Sequence, residues 1–143
     1  MDLSRYQDQR VIDAALAERT IAVVGLSSNP ARDSHQVAAY LQAHGYHIVP
    51  VNPNETAVLG ETSYPSLADI PAEAGPIGVV DVFRDSAAVP AIAREAVAIG
   101  ARHLWLQLGV VSEEGIRIAA DAGLGVVADR CIKVEHRLSH PAG

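Results

Sequence analysis

The stretch "IAVVGLSSNPARDSH", residues 21–35, joins an apolar segment, one glycine, several small residues and the beginning of a helical pattern. A buried strand that passes through glycine into a helix is the first unit of dinucleotide-binding folds, in which the helix N-terminus faces an anion. The G-x-G-x-x-G fingerprint is incomplete here, because Ser27 and Pro30 stand where its second and third glycines belong. The stretch therefore predicts a strand–loop–helix unit that takes an anionic ligand other than the usual NAD.

The rest of the chain repeats this alternation of apolar runs and helical patterns. The apolar runs predict strands over residues 20–24, 47–51, 77–83, 103–109 and 124–130. Helical spacing predicts helices over residues 5–19, 34–44, 86–99 and 112–123, and Ser66 is expected to cap a short helix in "SLADIP". Strands that are apolar on both faces and alternate with helices indicate an α/β fold: a doubly wound, Rossmann-like, mostly parallel sheet in three α/β/α layers.

The length favours one domain, since 143 residues are enough for one core and too few for two of ordinary size. We expect this domain to span residues 1–143, with an N-terminal helix at about 5–19, a core at about 20–138 and a short tail at 139–143.

Composition and charge exclude several classes of partner. Lys and Arg total 11 against 17 Asp and Glu, a formal net charge of −6, which disfavours nucleic acid and membrane surfaces. The single cysteine, Cys131, cannot form an internal disulfide, and no cysteine cluster suggests a metal site. With no signal-peptide pattern and no apolar run approaching about 18 residues, a cytoplasmic protein is expected. Whether the chain forms a homo-oligomer or has a protein partner stays open.

The loop after the first strand carries the clearest signal for ligand binding. Gly25 permits a sharp turn, and the following helix start offers backbone N–H groups and a partial positive charge. Ser27, Ser28 and Asn29 add small donors suited to phosphate oxygens, and Arg32 adds a charge. An equally favoured interpretation is an ordinary strand–helix turn in which residue 34, a serine, is the N-cap.

The loops after the next two strands bear on the identity of the nucleotide. Dinucleotide folds place a carboxylate at the end of the second strand to hold the ribose, but this strand ends in Val51, Asn52 and Pro53, which makes NAD an unlikely ligand. In "VFRDS", Phe83 can cover an adenine and Arg84 can stack or pair with phosphate. The alternative, weighed evenly, is that Phe83 belongs to the core and Arg84 is a solvated charge.

Further candidates lie near the C-terminus. "DRCIKVEHRL", residues 129–138, holds the densest group of reactive side chains, including Cys131 and His136. Such a pair serves nucleophilic catalysis or metal binding, but on an extended segment a five-residue spacing places the two on opposite faces. A structural tail is therefore favoured, and the remaining histidines are expected at the surface or in loops. Trp105 is expected in the core, whereas Gln107 on the same face is close enough to the strand end to reach a ligand.

Four motifs together resemble a known family: "VVGLSSNPARDSHQVAAYLQAHGYHIVPVNP", "VDVFR", "LWLQLGV" and "VVADRCIKVEHRL". Over roughly residues 12–138 they are similar to the small single-domain CoA-binding proteins, and to the CoA-binding domain of succinyl-CoA ligases and ADP-forming acyl-CoA synthetases. The resemblance implies that residues 25–30 hold a pyrophosphate, that Asn52 and Pro53 flank the adenosine, and that residues 83–84 line its other side. Arg32 and Ser34 match the family's basic and hydroxyl positions. Asn54 stands where the family often has Lys or Arg.

The sequence therefore predicts binding of coenzyme A or an acyl-CoA, as a sensor, carrier or binding subunit with no catalytic residues of its own. The alternatives are an NAD(P)- or other nucleotide-dependent enzyme that uses the same loop, and a degenerate fold that serves as a protein-interaction module. The predicted ligand-binding residues are Gly25, Leu26, Ser27, Ser28, Asn29, Pro30, Arg32, Ser34, Asn52, Pro53, Phe83, Arg84 and Gln107.

Overall fold

The computed structural model describes residues 1–140, so the last three residues of the predicted tail lie outside the described residues. A five-stranded parallel sheet forms its centre, and a two-stranded antiparallel ribbon lies beside it. The sheet strands are β1 (Thr20–Val24), β2 (His47–Val51), β5 (Val79–Val82), β6 (His103–Leu106) and β7 (Gly125–Val127), and the ribbon consists of β3 (Ala57–Val58) and β4 (Glu61–Thr62). The predicted doubly wound, mostly parallel sheet is confirmed.

Five α-helices cover the two faces of this sheet. They are α1 (Gln9–Leu16), α2 (Asp33–Ala43), α3 (Val89–Ala98), α4 (Glu113–Asp121) and α5 (Ile132–Ser139). Pro90 lies in the first turn of α3, where the missing N–H costs little. Short 3-10 turns at Leu3–Tyr6, Leu67–Asp69, Ala72–Ala74 and Ser86–Ala88 connect the elements. No helix among residues 1–140 is long and apolar enough to cross a membrane.

The strand order creates a crevice at one edge of the sheet. The order is β2-β1-β5-β6-β7, so the chain runs outward on one side of β1 and then crosses to β5 on the other side. At such a reversal the loops after the two central strands diverge, and open α/β sheets bind ligands there. The loops that follow β1 and β5 therefore define the candidate site.

Two apolar clusters, one on each face, hold the three layers together. Alternate strand residues point to opposite faces, so Ala22 and Val24 pack with α3 and α4, whereas Ile21 and Val23 pack with α1, α2 and α5. Trp105 is fully buried in the second cluster, as predicted, and its indole N–H donates to the Arg130 carbonyl at 2.8 Å. The three-layer α/β/α arrangement is therefore confirmed.

Asp81 is an unusual component of this core. It lies on the central strand β5 between Val23 and Trp105, is fully buried, and its carboxyl oxygens have no hydrogen-bond partner among the described residues. Burial raises the pKa of the Asp81 carboxyl well above its usual range, so the neutral acid is the form that fits this environment. Since an unfolded Asp ionises near its ordinary pKa, this residue costs stability increasingly as pH rises above that value.

Some elements differ from the sequence-based expectations. The predicted N-terminal helix is divided into the 3-10 turn and the shorter α1, because Asp8 caps α1 by accepting from the Arg10 N–H. Residues 132–139 form helix α5, so the spacing argument for an extended segment does not apply to Cys131 and His136. His103 was expected at the surface, but its side chain is 13% exposed and faces Glu18 at 3.4 Å. Ser66 precedes a 3-10 turn without making a side-chain cap bond to its backbone.

Candidate functional site

Gly25 lies where the loops after β1 and β5 come close together. Its φ of +87° lies in the region that favours glycine, and its N–H donates to the Val51 carbonyl at 2.8 Å. A Cβ at this position would lie 2.7 Å from the Phe83 carbonyl oxygen and 3.1 Å from Arg84 Cδ. Only glycine therefore lets the loops after β1 and β5 approach so closely.

Side chains hold the loop between Gly25 and helix α2 in one conformation. The Ser27 N–H donates to Ser34 Oγ at 3.1 Å, and the Asn29 N–H donates to Ser27 Oγ at 3.0 Å. His35 Nδ1 donates to the Ser27 carbonyl at 2.9 Å. The N-cap of α2 is Arg32, not Ser34, so the alternative that Ser34 caps the helix is wrong. Ser34 instead bonds backward to the loop, which fixes the loop relative to the helix start.

Glu55 reaches this loop from the turn after β2, a contact that was not expected from the sequence. Its Oε2 accepts from the Ser28 N–H at 2.7 Å. Asn52 shapes the turn, because its Oδ1 accepts from the Asn54 N–H at 2.9 Å and its Nδ2 donates to the Leu26 carbonyl at 3.0 Å. Hydrogen bonds from Ser28 lower the pKa of the Glu55 carboxyl, and the bond from the Ser28 backbone has a larger effect than the bond from its side chain. A carboxylate is thus present beside the glycine loop although none ends β2.

The phosphate-loop cleft, as we name it, opens between this loop and the turn after β2, with a volume of about 640 Å³. Its walls include Asn54 and Glu55. Six of the predicted ligand-binding residues also line it: Gly25, Ser27, Arg32, Ser34, Asn52 and Phe83. The first residues of α2, Asp33 and Ser34, also line the cleft, and the first backbone N–H groups of a helix have no partner inside it.

A second cleft of about 380 Å³ adjoins the first, and we name it the Cys131 cleft. Three predicted residues line it, namely Phe83, Arg84 and Gln107. Other lining residues come from the loop after β6, from α2 and from the start of α5, and include Leu108, Val110, Val37, Cys131 and Lys133. Phe83 and Asp33 line both clefts, so the two clefts are neighbours at the carboxyl edge of the sheet.

Five predicted residues lie outside the walls of both clefts, four of them exposed and one, Leu26, buried. Ser28, Asn29, Pro30 and Pro53 are exposed on the rim of the phosphate-loop cleft. The Leu26 side chain is fully buried in the core, so only its backbone faces the loop.

Gln107 lines the Cys131 cleft and also accepts a hydrogen bond from the backbone at the start of α5. It is 5% exposed, and its Oε1 accepts from the Ile132 N–H at 3.1 Å. This bond satisfies one of the unpaired N–H groups at the start of α5.

The structure separates the environments of Cys131 and His136. Cys131 is half-buried and faces the cleft, whereas His136 is buried against α2 with its Nδ1 2.7 Å from the Tyr40 hydroxyl. Burial is the main cause that lowers the pKa of the His136 imidazole, and the neighbouring His140 and His44 lower it further. Among residues 1–140 no group of three or more His, Cys, Asp or Glu side chains is arranged to hold a metal ion.

The family of the chain follows from comparison with known proteins. The family described as "CoA binding domain" matches residues 19–137. The chain belongs to this CoA-binding domain family. The uncharacterized protein YneT of Bacillus subtilis is 42% identical over 121 residues, which cover 85% of this chain and 87% of YneT. A hypothetical protein from Pyrococcus horikoshii OT3 is 37% identical with a TM-score of 0.86, covering 92% of this chain and 91% of that one.

The same fold occurs in a much larger enzyme. A dinucleotide-forming acetyl-coenzyme A synthetase from Ca. Korarchaeum cryptofilum superposes with a TM-score of 0.67 at 22% identity. The alignment covers 79% of this chain but 26% of the synthetase. This likeness concerns the fold, and it agrees with the predicted resemblance to the CoA-binding domain of acyl-CoA synthetases.

Proposed function

We propose that this protein binds coenzyme A or an acyl-CoA at the two adjoining clefts and serves as a sensor, carrier or binding subunit without catalysis of its own. Membership of the CoA-binding domain family supports the ligand class. Binding would place the pyrophosphate on the loop after β1 and extend the pantetheine arm toward the Cys131 cleft. In this proposal the protein supplies recognition, and the thiol or acyl group leaves unchanged.

The observation that carries the proposal is that the two clefts are neighbours that share Phe83 and Asp33. Coenzyme A has a highly charged nucleotide end and a long, less polar arm, so its site needs two unlike parts in contact. The phosphate-loop cleft is bounded by a glycine turn and a helix start, which suit phosphate oxygens. The Cys131 cleft adds the apolar side chains of Leu108, Val110 and Val37.

The residues at the crevice fit a pyrophosphate in two respects. The absent Cβ of Gly25 keeps the loops after β1 and β5 in close contact, and the aromatic ring of Phe83 stands at the junction of the clefts. Arg32 in the first cleft and Arg84 in the second supply cations that the net charge of −6 makes necessary. Exposed guanidinium groups at the rim favour phosphate recognition through paired N–H donors.

A thermal-shift panel tests the proposal against its alternatives. The unfolding temperature is measured with CoA, acetyl-CoA, NAD, NADP and ATP, each at several concentrations. A ligand that binds the folded state stabilises it by mass action, by about 2.7 kcal/mol at one hundred times its dissociation constant. CoA and acetyl-CoA are expected to raise the unfolding temperature. A shift with NAD alone, or no shift with any ligand, would contradict the proposal.

NAD belongs in this panel because of Glu55. Dinucleotide folds hold the ribose hydroxyls with a carboxylate near the glycine loop, and Glu55 brings one to the Ser28 N–H from a position four residues beyond β2. A nucleotide-dependent enzyme therefore remains the second candidate, and stabilisation by NAD or NADP would favour it.

A further inference from the structure

The carboxylate of Glu55 holds a position that the proposed function assigns to a phosphate. It accepts the Ser28 N–H at 2.7 Å, the short distance typical of a charge-assisted hydrogen bond. Ser28 lies in the middle of the loop between Gly25 and α2, and Glu55 lines the same cleft as that loop. A negatively charged group of the protein is therefore bound where the loop would bind an anion from solution.

The turn after β2 delivers Glu55 to this position without strong constraint on its side chain. The Glu55 N–H donates to the Asn52 carbonyl at 3.2 Å, and Asn52 is tied to the glycine loop through its bond to the Leu26 carbonyl. The backbone of the turn is thus fixed relative to the loop. The side chain of Glu55 is half-buried at the cleft wall, so a change of rotamer moves its carboxylate toward solvent without moving the turn.

We propose that Glu55 is an internal competitor for the anionic ligand: its carboxylate holds the Ser28 N–H in the free protein, and a phosphate group of the ligand displaces it. This inference rests on the proposed function, because it concerns the same cleft. If it is correct, the affinity for CoA reflects the exchange of the Glu55 carboxylate for a phosphate group of the ligand. Glu55 therefore determines which ligands bind, since a ligand needs enough negative charge to replace a carboxylate.

Displacement leaves two negative groups close together, and this repulsion adds to the hydrogen bond that is lost. Asp33, at the start of α2, lines the same cleft and adds a further negative charge. Arg32 is the cation of this cleft that opposes them. Removing the charge of Glu55 while keeping its shape should therefore tighten anion binding, and salt should reduce the difference by screening.

The test is calorimetric titration of CoA and of inorganic pyrophosphate into the wild-type protein, Glu55→Gln and Glu73→Gln. Glu73→Gln is the matched control, because it removes the same charge from an exposed 3-10 turn outside both clefts. Glu55→Gln is expected to bind both probes about three- to tenfold more tightly at low salt, the size of effect that an exposed charge exerts at close range. At high salt its affinity should approach that of the wild type, and Glu73→Gln should match the wild type throughout.

The two probes separate the failure of this inference from the failure of the proposed function. Equal or weaker binding of both probes by Glu55→Gln overturns the inference while leaving CoA binding intact. Binding of pyrophosphate but not CoA, with Glu55→Gln still tighter, overturns the proposed function and supports the competition. Absence of binding of either probe to any variant overturns both. Circular dichroism of each variant verifies that the fold is unchanged.

Discussion

The two clefts that meet at Phe83 are built in different ways. The phosphate-loop cleft consists largely of a short segment, residues 25–34, whose backbone N–H groups donate to the side-chain oxygens of Ser27 and Ser34 and to that of Glu55 from the turn after β2. The Cys131 cleft is assembled from four separate parts of the chain, and its walls mix Leu108 and other apolar side chains with Lys133. The first cleft is therefore suited to charge and the second to a flexible, less polar group.

This difference explains how a strongly acidic protein can be suited to an anionic nucleotide. In the proposed mode of binding, the charged end of the ligand would lie near the start of α2 and Arg32, and the remainder would gain contact area in the second cleft. The phosphate-loop cleft lacks the aliphatic side chains of Val37, Leu108 and Val110 that line the Cys131 cleft, and the Cys131 cleft lacks the glycine loop. Binding of CoA is therefore expected to require both clefts, and variants that alter one cleft test this dependence.

The largest effect is expected from Gly25→Ala, since this glycine shapes the junction. The added Cβ would clash with the Phe83 carbonyl oxygen at 2.7 Å and push the loops after β1 and β5 apart, which disturbs both clefts. CoA binding, measured by calorimetry, is expected to fall about a hundredfold, equivalent to about 3 kcal/mol.

Gly45→Ala is the matched control for this change. Gly45 has a similar φ of +93°, but a Cβ there meets nothing within 4 Å, so it carries the backbone strain without the clash. Its CoA affinity should equal that of the wild type. Retained binding in a folded Gly25→Ala variant would show that the close approach at Phe83 is unimportant.

A smaller effect is expected from the two arginines, one in each cleft. Arg32→Ala and Arg84→Ala are each expected to weaken CoA binding about tenfold at low salt, as for a charge-assisted contact at an exposed site. The dependence of affinity on salt should be flatter in both. Arg117→Ala, which removes an exposed charge on α4 that pairs with Glu113, is the control and should keep the wild-type slope.

If Arg32→Ala alone changed the slope, charge recognition would be confined to the phosphate-loop cleft. The Arg84 side chain would then serve the second cleft through packing only. Unchanged slopes in both variants would show that neither arginine meets a phosphate.

The smallest effect concerns the chemical accessibility of Cys131. Because this residue lines the second cleft, an arm lying there should slow its alkylation by iodoacetamide several-fold. Acetyl-CoA is the ligand used, since it has no free thiol to react, and adenosine diphosphate, which lacks the arm, is the control. Intact mass reports the rate directly, because Cys131 is the only cysteine. Equal protection by both ligands would contradict the division of the site.

The sequence predicted the local parts of the molecule and missed those that depend on distant contacts. The strand Thr20–Val24, the loop at Gly25 and helix α2 follow from a contiguous apolar run, a turn residue and helical spacing. Helix α5 was missed because its pattern mixes charges with two buried polar residues, Glu135 and His136. Those residues have partners only in the folded chain. For example, His136 forms a hydrogen bond with the hydroxyl of Tyr40 on α2.

The candidate site shows the same division. Residues that directly follow β1 and β5 were predicted, because strand ends in a parallel sheet meet at one edge. Glu55 was missed because it lies four residues beyond β2, and Asn52 and Pro53 indicate a turn without showing that it brings Glu55 to Ser28. Asp81 was missed because a carboxyl in a buried strand contradicts the usual pattern, and only the register of β5 shows that it faces the core.

The most direct test of the two-cleft account is a titration of isotope-labelled protein with CoA, followed by backbone amide chemical shifts. The largest changes are expected in two groups, at Ser27 and Ser28 in the phosphate loop and at Leu108 and Lys133 in the Cys131 cleft, with the same affinity for both groups. Changes confined to one group, or centred on the opposite edge of the sheet near Gly78, would contradict it.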